Sequence, residues 1–476
     1  MANDSTERSG IAGGRNGLDQ SPNRDVSRDV SRDVGRDVGL NMGGSLDRGA
    51  VRAVLECVAV GRSDTEGLLG RLVQHRSVLG AEAGCLDAMA EAYASLGLQP
   101  VRVPVDVAML AGQPGWSPPL MGYARRDNVV ALHHPRDAPG KTATGRSLLL
   151  QGHVDVVPEG AADLWTTPPF EPAMRDGRMF GRGAGDMKAG LAAIVGAMAA
   201  LRRAGLQPAA PVQLAAVIEE ECTGNGALAV MHALPAPDAC IIPEPGPGHM
   251  ALYVAEVGVV WAWVTVTGRP AHVREMHSGV NAIEAAMVVM ERFRAYEDQA
   301  NRGERRHPSF AGANHPINVN LGTIEGGEWT SSVATRATFS VRVGVMPGEP
   351  CQNVRAAIEA MVAAAGTDPR LRGASLSVAF RGFMADGCVF SPDQPVAQML
   401  ARHHQDRVGS PVRHYAAPGL TDARFYALYS NSEATCYGPD ADNIHGIDES
   451  VSLDSLHAVT EVLALTIMEW CGVEPV

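Results

Sequence analysis

Residues 147–155 read Ser147-Leu148-Leu149-Leu150-Gln151-Gly152-His153-Val154-Asp155, an apolar run that ends in a glycine turn bearing an imidazole and a carboxylate. An unbroken apolar run of this length reads as a buried strand rather than a half-exposed one. His153 then stands at the strand end, and Asp155 lies two residues on, where strand periodicity returns its side chain to the same face. Val129-Val130-Ala131-Leu132 is a second such strand, and Val212 to Ile218 a third, which delivers Glu219-Glu220-Glu221 at its carboxyl end. Between them, Gly183-Ala184-Gly185-Asp186 leads into a helix from Lys188 to Leu201. This alternation predicts an α/β fold with a mostly parallel sheet and a site beyond the strand ends.

Two further blocks complete the pattern: Pro243-Glu244-Pro245, and Asn443-Ile444-His445-Gly446-Ile447-Asp448-Glu449. Together the five blocks supply two imidazoles and several carboxylates, the ligand set of a two-zinc hydrolytic site. Asp186 is placed to cap the following helix, and small neighbours also let its backbone approach an ion closely. Three consecutive glutamates commonly mark a solvated face. Here a buried strand leads into them and Gly224 and Gly226 follow, which argues for a site. The Asp155 carboxylate is expected to accept the second ring N–H of a metal-bound His153.

At 476 residues the chain is long enough for two folded domains. A formal net charge of −13 argues against nucleic acid or an anionic membrane as the partner. Eight cysteines without a C-x-x-C pair read as reduced thiols of a cytoplasmic protein. Residues 1–45 are expected to form a disordered low-complexity tail, because residues 23–38 repeat an Arg-Asp-Val tetrapeptide with no core-forming face. Residues 46–255 and 385–476 are read as two parts of a catalytic domain. Between them, residues 256–384 read as βαββαβ, an inserted α+β lid.

The five blocks, in this order, resemble the acetylornithine deacetylase, succinyl-diaminopimelate desuccinylase and aminoacylase family of zinc amidohydrolases over roughly residues 60 to 470. The resemblance implies two zinc ions, replaceable by cobalt or manganese. His153, Asp186 and Glu244 would hold one, and Asp186, Glu221 and His445 the other. It makes Asp155 the support of His153 and Glu220 the general base. His272, in Gly268-Arg269-Pro270-Ala271-His272, falls where such enzymes stabilise the oxyanion across a dimer interface. Arg342 falls where they grip a substrate carboxylate. Thr421-Asp422-Ala423-Arg424 also fits the family, so that either Asp422 or Arg424 lines the pocket or the loop is purely structural. Ser331-Ser332-Val333-Ala334 stands where the family commonly shows Asn-x-Val-Pro. The implied substrate is a small N-acyl amine or amino acid, with short peptides as the alternative, and the implied assembly is a homodimer through residues 256–384.

Overall fold

The computed structural model describes residues 46–136, 145–302 and 306–476, and the expected tail at residues 1–45 lies outside the described residues. Branched aliphatic runs form the strands β1 (Pro100–Pro104), β2 (Asp127–His133), β3 (Leu148–His153), β4 (Val212–Val217) and β5 (Ala239–Ile242). The lid then supplies β6 (Gly258–Thr267), β7 (Val319–Gly326), β8 (Arg336–Val345) and β9 (Ser375–Ala385), and the returning chain adds β10 (Glu433–Cys436).

The central sheet has the order β1-β2-β4-β3-β5-β10. Strands β4, β3, β5 and β10 pair in parallel, whereas β1 with β2 and β2 with β4 pair antiparallel. The expected mostly parallel sheet is therefore a mixed one. Helices join β3 to β4 and β4 to β5, and those strands run the same way. An irregular segment holding only a four-residue helix joins β1 to β2, which return in the opposite sense. Apolar periodicity marks a strand but carries no sign of its direction.

Every residue of β3 and β4 is buried, so both faces of the sheet are covered. The helix Ala189–Arg203 packs with the C-terminal helix Leu453–Cys471 against β3, while Asn225–Ala233 lies on β1, β2 and β4. Ala189–Arg203 is buried on nearly every side, from Leu191 through Leu201, which makes it a core helix rather than an amphipathic one. Counted with the turn before it, Ala184–Arg203 is 20 residues, long and apolar enough to cross a membrane by length and composition, but 83% of its most apolar window is buried in the fold. All eight cysteines are free thiols, and seven of them are buried.

The insertion has the βαββαβ order expected of it, with the helix Ala282–Ala300 after β6 and Cys351–Ala365 after β8. Its sheet, β7-β8-β6-β9, is antiparallel throughout. Strict alternation along β6 sends Val260, Ala262, Val264 and Val266 into a core with Phe293, Phe339 and Ile358. Trp261 and Trp263 fall on the opposite face, which the lid helices leave uncovered. Chain entry and exit touch: a Cβ on Gly258 would lie 2.3 Å from the backbone nitrogen of Gly387.

One close approach ties this fold to its site. A Cβ on Gly190 would fall 2.3 Å from the carbonyl oxygen of Pro243, so only glycine lets the Asp186 loop and helix lie against the Glu244 loop. Gly190→Ala should lower unfolding free energy by about 1–3 kcal/mol, as overpacking does, and weaken metal retention as well. Denaturant titration and metal analysis measure the two; wild-type values in both would show that the loops yield without cost.

Candidate metal centre

Strand ends place the ligands. His153 is the last residue of β3, Glu220 and Glu221 follow β4, and Glu244 follows β5. Asp186 precedes the helix Ala189–Arg203, and His445 comes from the turn after β10, across the inserted lid. The side-chain donors form overlapping groups within 4.8 Å: His153 with Asp186 and Glu244, and Asp186 with Glu221 and His445. His153 also lies with Glu220 and Glu221 in a third.

The Asp186 carboxylate is the centre of the arrangement. One oxygen lies 3.1 Å from Nε2 of His153 and the other 3.3 Å from Nε2 of His445. Glu244 lies 3.7 Å from His153, and Glu221 lies 3.0 Å from His445. Donors about 2.0–2.1 Å from one tetrahedral zinc stand roughly 3.3 Å from each other, so these separations suit two ions sharing one carboxylate. Oε1 of Glu244 is buried without a hydrogen-bond partner, a costly state that a cation would relieve. The residues present therefore fit a two-metal group.

The electrostatics point the same way. Burial works to raise the Asp186 carboxyl, but the imidazoles of His153 and His445 outweigh it and hold the group well below the usual carboxylate range. Burial pushes Glu220 and Glu244 well above that range, with Glu244 repelling Glu220 and Asp186 repelling Glu244. The Glu221 charge raises His445. Four carboxyl groups gathered around two imidazoles carry more negative charge than those rings can balance.

Asp155 works differently from the expected arrangement. Nδ1 of His153 donates to the backbone carbonyl of Asp155 at 2.9 Å, while the nearest Asp155 carboxylate oxygen is 3.7 Å away. The two carboxylate oxygens instead accept the backbone N–H groups of Glu220 and Glu221, at 3.2 and 3.1 Å. One residue thus fixes the imidazole tautomer through its main chain and the glutamate loop through its side chain. Burial pushes its carboxyl up to about 7.

Two glutamates serve as supports. Glu219, at φ +62°, turns away from the cluster and is wholly buried against Arg126, Tyr123 and Thr223. Glu449 accepts from the backbone N–H groups of Gly185 and Asp186, both at 3.0 Å, and pairs with buried Arg182 at 2.5 Å. It thereby links the His445 turn to the Asp186 loop. Glu449 and Arg182 both lie in or beside the sequence blocks, but residue type alone does not reveal a partnership across more than 260 positions.

The cluster opens into a cleft of about 500 Å³ whose lining includes Asp186, Glu220, Glu221, Glu244 and His445 on one side and Arg342 on the lid. Arg342 donates to the carbonyls of Asn318 and Pro418, at 3.3 and 3.0 Å, and forms no ion pair among the described residues. Asp422 and Arg424 are not among the lining residues: both are buried, with Asp422 against Gln151 and Arg424 on the carbonyls of Thr421 and Thr223. They brace the loop that ends in the helix Ala423–Tyr429. His272 lies apart from the cleft, exposed, its Nδ1 accepting the Arg274 N–H at 3.1 Å. The cleft also holds Asn320, Trp261 and Phe383, which strand alternation placed on the open face of the lid sheet without indicating what that face meets.

Clustered imidazoles and carboxylates that would hold metal ions, set beneath a lid, are the arrangement of a metal-dependent hydrolase. The chain belongs to peptidase family M20/M25/M40, whose sequence profile matches residues 149–469. It is 28% identical over 332 residues to a succinyl-diaminopimelate desuccinylase from Gluconacetobacter diazotrophicus, covering 67% of this chain and 80% of that protein. It is 27% identical over 345 residues to the N-formyl-4-amino-5-aminomethyl-2-methylpyrimidine deformylase of Bacillus subtilis, covering 68% and 80%. In fold it is similar to the dipeptidase Dug1p of Saccharomyces cerevisiae, with a TM-score of 0.72, 13% identity, and 88% of this chain and 98% of that one covered. Human carnosine dipeptidase 1 gives a TM-score of 0.70 at 14% identity with the same coverage.

Glu220→Gln should leave metal content unchanged and lower turnover by roughly 100-fold or more, as loss of a general base does. Glu221→Ala should lose one metal per chain. Elemental analysis beside a rate assay separates them, and the reverse pattern would exchange the two roles.

Proposed function

We propose that this chain is a two-zinc hydrolase that cleaves the amide bond of a small N-acyl amine or amino acid. The observation that supports this reading best is the Asp186 carboxylate, with one oxygen facing each imidazole. The desuccinylase and deformylase among its relatives are both named for removing an acyl group, which favours the same class here. Two divalent ions bound at these residues would supply Lewis acidity, polarising the amide carbonyl and making water acidic enough to react near neutral pH.

The protein's own part is proton handling and placement. Glu220, 5% exposed and 3.8 Å from His153, takes a proton from the attacking water and gives it to the leaving nitrogen. Asp155 and Glu449 hold the backbone of the reacting loops still while this happens. The unpaired guanidinium of Arg342 grips a substrate carboxylate in its planar fork. A dipeptide ending in a carboxylate would meet the same guanidinium, so a metallo-exopeptidase is the second reading. Chelation should abolish hydrolysis, with zinc, cobalt or manganese restoring it. A panel of N-formyl, N-acetyl and N-succinyl compounds beside dipeptides then ranks the two readings; full turnover by metal-free protein would end both.

A homodimer through the lid is part of the same proposal. Strand β7 is a sheet edge, and Ile324, Trp329, Ile283 and Met287 around it are 57%, 74%, 36% and 59% exposed. His272 adjoins this edge, bridged to Ser332 beside the Trp329 turn. In this reading two chains pair through the lid and His272 reaches the partner's cleft to stabilise the oxyanion. Mixing inactive Glu220→Ala protein with inactive His272→Ala protein should regenerate one competent site per mixed dimer. Mixed dimers that stay inactive would remove His272 from the neighbouring site.

A further inference from the structure

The uncovered face of the lid sheet carries an ordered row of side chains into the cleft. Trp261 on β6 is the direct cross-strand partner of Arg342 on β8, which in turn partners Asn320 on β7. Residues so paired share a face with their Cβ atoms about 4.5–5.5 Å apart. On the other side of Trp261, the register of β9 breaks: Val260 pairs with Met384 and Ala262 with Phe380, so Arg381, Gly382 and Phe383 bulge opposite the indole. Gly382 has φ +73°, and a Cβ there would lie 2.5 Å from Cε3 of Trp261. Glycine is therefore what lets the indole lie over the bulge. Phe383 follows, its ring centroid 5.4 Å from that of Trp261 at 89°. The row thus runs amide, guanidinium, indole, phenyl across the four strands.

Its aromatic end is a small apolar cluster separate from both main cores, made of Val259, Phe383 and Ala385 with Trp261 and Leu420 packed on it. All of these but Ala385 line the cleft. The buried Arg424 guanidinium stands 5.5 Å from the Phe383 ring, which holds the phenyl in place from beneath. An apolar wall beside an unpaired guanidinium is costly to leave wetted and costly to fill with a second charge.

Resting on the reading of this cleft as the hydrolytic site, we infer that the substrate carries an aromatic or other bulky apolar group beside its carboxylate. The carboxylate sits on Arg342 and Asn320, and the apolar group lies against Trp261 and Phe383. Adjacent placement on one sheet puts that group on the same half of the substrate as the carboxylate, as in the side chain of an aromatic amino acid. A diaminopimelate-like half, with a charged ammonium at that position, is disfavoured because the wall offers it no acceptor.

The test compares metal-loaded full-length protein on N-acetylphenylalanine and N-acetylalanine, and measures by calorimetry the binding of 3-phenylpropanoate and propanoate, which carry no amide to cleave. The phenyl compound of each pair should be favoured roughly 10-fold or more, the scale of burying one aromatic side chain. Trp261→Leu, and separately the loop substitution Leu420→Gln, should shrink the phenylalanine-to-alanine and phenylpropanoate-to-propanoate ratios several-fold. Because the acids bind without reacting, a phenyl preference in binding supports the slot even if no amide is hydrolysed, an outcome that would count only against the hydrolytic reading. Equal affinity for the two acids in the wild-type chain, or a preference unchanged in both variants, overturns the proposal.

Discussion

Four carboxylates and two imidazoles converge on one site, and the repulsion among the carboxylates is the constraint that the rest of the molecule answers. Asp186, Glu220, Glu221 and Glu244 come from two loops and a helix start, and nothing in their own side chains holds them together. Convergence is imposed by the backbone: strand ends fix His153 and the glutamates, and Gly190 lets the Asp186 loop press against the Pro243 carbonyl. Asp155 and Glu449 then spend their carboxylates on backbone N–H groups, so that acidic side chains bind the frame and do not add to the cluster. A cation would convert the remaining repulsion into attraction, which couples metal occupancy to the stability of all five loops at once.

Much of this was legible because it follows from short-range rules. The apolar run before Gly152 announces a buried strand, alternation along residues 258–267 announces a sheet with one covered face, and the βαββαβ order of the lid follows from periodicity alone. What could not be read was whatever depends on direction or on distant partners. Strand periodicity is blind to polarity, hence the mixed sheet. Asp155 faces the right way, yet whether its carboxylate or its carbonyl meets His153 is decided by two N–H groups some 65 positions later. Within the Glu219-Glu220-Glu221 run, Glu219 is drawn away by Arg126 and Tyr123, residues with no sequence pattern to connect them to it. Asp422 and Arg424 fit the family's pattern, which left a pocket role and a structural role equally open; both lie beneath the pocket floor, with Asp422 accepting from Gln151 and Arg424 donating to main-chain carbonyls.

The cleft divides its labour by element. The floor carries the clustered carboxylates and His445 on loops at strand ends, whereas the roof is one face of an antiparallel sheet. Cross-strand partners on that face stand side by side, so the row from Asn320 to Phe383 is presented in a fixed order. The lid helices pack on the other face of that sheet.

The touching of Gly258 and Gly387 gives this roof a particular standing in the chain. A segment whose two ends meet is, topologically, a loop on its host, and it has a core of its own. Such a segment can be lengthened, exchanged or lost without re-threading the strands below it. The join is thus a natural seam for recombination, along which one hydrolytic base could acquire a succession of roofs and, with them, a succession of substrates.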